Sequence, residues 1–189
     1  MANKDAAFGM RAIGKVGQNR DSQGLSEYDI AASATAIYQN DPVVMAATGT
    51  ITVAAAGNTL LGSLNGVFYT DASTSKPTYA NHLEGSNTAT DIVGFVSDDP
   101  YERFEIQSNN SGASAQTDIG NCADIAYTAG ATPNYISKVE LDDSSLATTT
   151  AQLKIIGLSK DPDNNDLTSA NVNWVVTINE HFLKATAGV

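Results

Sequence analysis

The sequence predicts an all-β protein: one β-barrel or sandwich domain of short antiparallel strands, with an extended N-terminal arm. Many short segments alternate apolar and polar residues, a period of two that is typical of strands with one buried face. Clusters of Gly, Pro, Asn, Asp and Ser separate these segments, as turns do. Helical periodicity is scarce, so short strands punctuated by turns indicate a barrel or a sandwich.

The arm is predicted from charge. The charged residues among the first twenty are Lys4, Asp5, Arg11, Lys15 and Arg20. They give this segment +3, whereas the other 169 residues carry −14. Its spaced glycines disfavour a helix, and its apolar residues are candidate anchors on a partner. We therefore divide the chain into an arm over residues 1–24 and a β-body over residues 25–189.

The first half of the body is expected to be extended. Residues 25–38 are rich in Ser and Thr, and Tyr28 and Ile30 alternate, so a strand followed by a loop is favoured over a helix. Residues 50–53 alternate as a strand does. The Asn65-Gly66 pair accepts the positive φ angles of a type I′ turn, which predicts a hairpin at this point.

The second half contains the clearest strand patterns. Strands are expected at residues 91–96, 103–107, 151–158 and 173–179. In the second of these Phe104 and Ile106 point inward, and in the last Trp174, Val176 and Ile178 share one face. Residues 71–90 are expected to form the longest surface loop, and one helical turn is expected within residues 113–124.

Composition narrows the classes of function. Ser, Thr and Asn number 51 while charged residues make up only 16%, so the predicted surface forms hydrogen bonds but is weakly charged. A net charge of −11 repels phosphate, which argues against nucleic acid as a partner. The apolar runs are too short to span a membrane, and no signal peptide is apparent. Cys122 is the single cysteine, so no intrachain disulfide and no CxxC site can form.

No pattern predicts catalysis, a cofactor or a metal. His82 and His181 have no neighbour at metal-ligand spacing, so each is interpreted as a structural or surface histidine. Residues 161–166 resemble the start of a calcium loop but have Asp166 where glycine is required, so a turn is predicted. One uncommon hydrolase arrangement, built from Asp98, Asp99 and His181, needs those groups to meet in the fold. We expect the protein not to be an enzyme.

Several segments resemble a known family. The opening Met1-Ala-Asn-Lys-Asp-Ala-Ala-Phe-Gly-Met-Arg11 is similar to the start of capsid decoration, or cement, proteins of tailed bacteriophages. Further similarity lies in residues 97–107, 119–125, 153–164 and 173–183. The resemblance covers most of the chain. It implies a β-rich homotrimer on the outer surface of the virion capsid, bridging neighbouring subunits of the major capsid protein.

The resemblance and the charge pattern together give an expected binding site on the arm. The capsid-binding residues would be Phe8, Arg11, Ile13, Lys15 and Arg20. The cations would meet capsid carboxylates, and the apolar side chains would fill niches or add a strand to an exposed edge. The sequence departs from the family where Asn40-Asp41-Pro42-Val43 replaces an expected Gly-Asp-X-Val, so the strand there is expected to begin at Val43 or to lie at an edge.

A second class of function stays open. A carbohydrate- or host-surface-binding β-module, displayed on a virion or secreted, would use the polar loops 71–90 and 108–118. Tyr69, Tyr79 or Tyr127 would be its stacking platforms. A tyrosine exposed beside amide side chains would favour this alternative, and burial of the rings would argue against it.

Overall fold

The computed structural model describes residues 2–16, 24–110 and 113–184. Strands make up 39% of the protein, and the described residues contain no helix of seven or more residues, so the all-β prediction is confirmed. The strands are β1 Arg11–Lys15, β2 Ser26–Asp29, β3 Pro42–Met45, β4 Ile51–Val53, β5 Gly62–Thr70, β6 Pro77–Ala80, β7 Val93–Ser97, β8 Glu102–Gln107, β9 Cys122–Ala123, β10 Ile125–Ala126, β11 Glu140–Leu141, β12 Leu153–Leu158 and β13 Asn173–Ile178. Short 3-10 turns occur at Gln116–Asp118, Asp143–Ser145 and Phe182–Lys184.

The strands form two main antiparallel sheets and one small pair. Sheet 1 has the order β1-β8-β13-β12-β9, and sheet 2 has the order β2-β7-β5-β3-β4, with β6 also paired to β5. The pair β10-β11 is separate. A barrel requires its first and last strands to pair along their length. The end strands of sheet 2 are linked by one isolated bridge, between Ile30 and Ile51, and the end strands of sheet 1 are β1 and β9, which are not neighbours in the strand order. The arrangement is therefore sandwich-like, and the barrel alternative is wrong.

Strand β3 lies between two apolar cores. Successive side chains of a strand point to opposite faces, and Val43 belongs to one core while Val44 packs against the other. Likewise, Leu60 belongs to the core that Val44 contacts, and its neighbour Leu61 belongs to the core that contains Val43. Core 1, which contains Trp174, fills the space beside the inner face of sheet 1, and core 2 lies on the far face of sheet 2.

The alternating patterns gave the correct inward faces. Phe104 and Ile106 of β8 and Trp174, Val176 and Ile178 of β13 are all buried in core 1. Their strands are neighbours, with Trp174 opposite Ile106 and Val176 opposite Phe104. Such cross-strand pairs bring the apolar side chains of one face into direct contact.

The hairpin predicted at Asn65-Gly66 is wrong. Both residues lie inside the nine-residue strand β5, at a bulge where the pairing register with β7 shifts between Leu64 and Gly66. A Cβ atom on Gly66 would come within 3.0 Å of the Ala80 carbonyl oxygen. The glycine therefore permits the close approach of β6 instead of a turn.

Proline marks the start of two strands. Pro77 begins β6, so the predicted loop over residues 71–90 contains a strand. Pro42, not Val43, begins β3, which pairs with both β4 and β5 and is not an edge strand. The first position of a strand tolerates a residue with no N–H to donate. Residues 26–29 are a strand and residues 116–118 form one helical turn, as predicted.

Candidate interaction surfaces

The N-terminal segment is bound to its own body from residue 3 onward. The Asn3 side chain exchanges two hydrogen bonds with the backbone of Asp166, at 2.9 and 3.2 Å. The Gln107 amide accepts from Ala6 N–H and donates to the Lys4 carbonyl, both at 2.9 Å. Residues 3–6 are thus held by hydrogen bonds that replace a strand partner.

Gly9 and Met10 anchor the segment in the interior. Met10 is fully buried in core 1, and its backbone N–H donates to Asn40 O at 2.9 Å. The Ser63 hydroxyl donates to Met10 O at 2.6 Å. Gly9 has φ +74°, and a Cβ there would lie 2.4 Å from Asn40 O and from Ser137 Cβ. Only glycine fits this close crossing.

The next residues, β1, form the edge strand of sheet 1. The Arg11 guanidinium pairs with Glu105, and Lys15 Nζ lies 2.6 Å from Asp99 Oδ2. Burial raises the pKa of Glu105, but hydrogen bonds from Arg11 and Ser159 outweigh this, so the pKa lies below its ordinary value. The hydrogen bond to Asp99 raises the pKa of Lys15.

The expectation that this segment stands away from its body is therefore wrong for residues 2–16. Sequence patterning identified the anchors, but Arg11 and Lys15 meet carboxylates of the same chain. Phe8 is half-buried, with the Arg11 guanidinium 4.7 Å from its ring centre. Ile13 is 44% exposed, as a binding residue would be. Arg20 lies outside the described residues.

The outer face of sheet 1 gathers cations from distant parts of the sequence. We define the basic face as Arg11, Ile13, Arg103, Lys154, Ile156, Lys160 and Val175. Lys154 of β12 is opposite Thr177 of β13, which is opposite Arg103 of β8. Neighbouring strands are about 4.8 Å apart, so Lys154 and Arg103 start about 10 Å apart.

Apolar side chains lie among these cations. Ile156 is 38% exposed because alternation along β12 places it on the same face as Lys154. Ile13, Ile156 and Val175 line a shallow depression of 380 Å³, which Arg103, Lys160 and the Arg11-paired carboxylate Glu105 border. Four of the ten Lys and Arg residues of a chain with net charge −11 therefore lie on one partly apolar surface, where Arg11 is paired with Glu105. Sequence reasoning did not find Arg103, Lys154 or Ile156, because their proximity depends on strand order.

The face of sheet 2 opposite core 2 is aromatic along β5, β6 and β7. Tyr79 of β6 is 75% exposed, and its ring centre lies 4.7 Å from Phe68 and 6.3 Å from Phe95. A depression of 350 Å³ beside it is bordered by the amides Asn65 and Asn81. Two other tyrosines were expected to be platforms. Tyr69 is half-buried against core 2. Tyr127 is partly exposed, and the burial of the rest of its side chain raises its pKa.

The possible hydrolase residues come close together but are used in other ways. Asp98 accepts from Ser26 and Tyr28, and Asp99 pairs with Lys15. The negative charges of both aspartates raise the pKa of His181, but the residue is only 1% exposed and its burial has the larger effect, lowering the pKa to about 4. Such an imidazole is neutral and shielded from solvent at pH 7.

The calcium-like segment forms turns, as predicted. Asp161 accepts from the Asp163 N–H at 3.0 Å, and Asp166 accepts from the Thr168 N–H at 2.9 Å. Their carboxylates thus cap the backbone of the β12–β13 connection. Among residues 2–16, 24–110 and 113–184, no group of three or more His, Cys, Asp or Glu side chains is arranged to hold a metal ion.

Comparison of this chain with family models, with curated proteins and with solved structures found no match. In the part of the chain that the structure describes, no helix has the length and apolar character needed to cross a membrane. The two exposed sheet faces are therefore the features from which function is argued.

Proposed function

We propose that this protein is a non-catalytic virion structural protein that decorates the outer capsid of a tailed bacteriophage. It would act as a homotrimer that bridges neighbouring subunits of the major capsid protein. The observation that carries this proposal is the basic face, a concentrated positive and apolar surface on an otherwise anionic protein. The family resemblance of residues 1–11 and 153–164 supports the same assignment.

The basic face suits an acidic protein surface. Arg103, Lys154 and Lys160 are exposed, so they can meet partner carboxylates, while Ile13 and Ile156 supply apolar contact area. Charged groups around an apolar centre favour encounter and orientation more than raw affinity. A trimer that engages several capsid subunits gains affinity by avidity, so each contact need only be modest.

The N-terminal segment takes a different role from the one its charge suggested. Because Met10 and β1 are built into core 1 and sheet 1, the segment presents Ile13 at the edge of the basic face and does not reach out alone. Deletion of residues 1–20 would therefore damage the fold and would not test capsid binding.

Charge reversal tests the proposal. The double variant Arg103→Glu/Lys154→Glu should load poorly onto expanded empty shells of the phage in a co-sedimentation assay, by about tenfold or more. The matched control, Lys76→Glu/Lys138→Glu, changes net charge equally at exposed positions outside the basic face and should load normally. Loading should also weaken with salt, because exposed charge pairs are screened. Equal loading of both double variants would refute the role of the basic face, and a monomer in analytical ultracentrifugation would refute the trimer.

A further inference from the structure

We infer that the aromatic face of sheet 2 is a binding site for a neutral oligosaccharide. The aromatic face is defined by Phe68, Tyr79 and Phe95 together with the amides Asn65 and Asn81. It lies on sheet 2, whereas the basic face lies on sheet 1.

The exposure of Tyr79 is the first observation. Phe68 and Tyr79 are direct cross-strand partners, and such aromatic pairs stabilise sheets. Pairing explains why the two rings touch, but it does not require the Tyr79 ring to be 75% exposed. Contacts with Phe68 and Phe95 hold the ring in place, so a ligand meets a preformed flat surface. Preorganisation reduces the entropy lost on binding.

The absence of charge is the second observation. The 350 Å³ depression is lined by Leu25, Asn65, Gly66, Val67, Tyr79, Ala80, Asn81 and Phe95, all of them neutral on a chain of net charge −11. Its volume is within the range of small-ligand sites. A neutral lining favours a neutral ligand, since an acidic one would be repelled by the surrounding protein.

The amides complete a site that matches a sugar ring. The C–H groups on one side of a pyranose form an apolar face that stacks on an aromatic ring, while its hydroxyls both donate and accept. Asn side chains offer a donor and an acceptor in one plane. Gln39 joins the two amides, donating to Asn65 at 3.4 Å and accepting from Asn81 at 3.5 Å, which restrains both side chains beside the platform.

A second depression extends the site. It measures 490 Å³, shares Leu25 and Asn65 with the first, and continues past Gln39 to Phe8 and to Arg11 at the margin of the basic face. The two together form a path longer than one sugar ring, so we expect an oligosaccharide to bind more tightly than a monosaccharide.

The test uses the full-length protein and three neutral probes: cellohexaose, maltohexaose and chitohexaose. Isothermal titration calorimetry should detect binding of at least one, and Tyr79→Ala should weaken it about tenfold, which is about 1.4 kcal/mol. Tyr79→Trp, which keeps a stacking ring, should retain affinity. Tyr101→Ala removes another tyrosine that is 58% exposed and should change nothing.

Three results would overturn the inference: no binding of any probe, equal binding by Tyr79→Ala, or preference for an acidic hexamer such as hexagalacturonic acid. The Arg103→Glu/Lys154→Glu variant separates this site from the proposed function. It should bind the oligosaccharide normally even where it fails to load onto shells.

Discussion

Replacing Met10 with alanine tests whether the N-terminal segment belongs to the folded body. The side chain is fully buried in core 1, in the same cluster as Trp174, and the backbone on either side is fixed by hydrogen bonds to Asn40 and Ser63. Truncating a buried methionine costs about 2–5 kcal/mol, because transfer energy is lost and a cavity remains. For a chain of this size that cost lowers the melting temperature by roughly 5–15 °C.

The assay is thermal and urea unfolding followed by the fluorescence of Trp174, the single tryptophan. Protomer concentration is held constant, since self-association shifts apparent stability. The matched control is Ile13→Ala in the adjacent strand β1, where the side chain is 44% exposed and the cost should stay below about 1 kcal/mol. A Met10→Ala protein as stable as the wild type would show that the segment is not part of the core, and the reasoning would fail.

Two further predictions concern the interior. Gly9→Ala should lower the free energy of urea unfolding by more than about 2 kcal/mol, because the positive φ alone costs about 1–2 kcal/mol and the new Cβ also clashes. The control is Gly49→Ala, at φ +80° with nothing near the new Cβ, which should show only the cost of the positive φ. Equal losses for the two variants would contradict the clash at Gly9. The pH dependence of unfolding should reflect two opposed groups. Burial raises the pKa of Asp41 to about 6, so this group lowers the free energy of unfolding as pH rises from about 4 to 6. Burial lowers the pKa of His181 to about 4, so this group lowers the free energy of unfolding, by at most about 3 kcal/mol, as pH falls from 6.5 to 4. His181→Gln should therefore flatten the acid-induced loss of stability, and an unchanged slope between pH 6.5 and 4 would count against a buried neutral imidazole.

Local patterns predicted the strands whose side chains face one core. β8 alternates from Arg103 to Gln107, and β13 has Trp174, Val176 and Ile178 at every second position, so Phe104 and Trp174 could be assigned an inward direction without any knowledge of their neighbours. Turn chemistry was less decisive. Asn65-Gly66 has the composition of a hairpin turn, yet pairing of β5 with β7 and β6 keeps the chain extended through it. Hydrogen bonds along the strand outweigh the weak local preference of two residues.

The charge pattern correctly separated a basic N-terminal segment from an acidic body, but it wrongly placed the partners of Arg11 and Lys15 on another protein. The sequence shows that cations are concentrated near the N-terminus, and Arg11 does lie on the basic face, whereas Lys15 lies opposite Glu102 and pairs with Asp99. The sequence could not show that Glu105 and Asp99 are close enough to pair with these two cations. Those contacts join residues more than eighty positions apart, and no local pattern records such a pairing.

The sequence by itself determined the all-β class, the inward faces of the strongest strands and the opposition between a basic leader and an acidic body. These properties depend on side-chain periodicity and composition, which act over a few residues. Only the tertiary structure decided that the leader completes sheet 1, that Arg103 and Lys154 share a face, and that Tyr79 is exposed beside two amides. Each of these depends on which strands become neighbours, and that is fixed by the packing of both cores together.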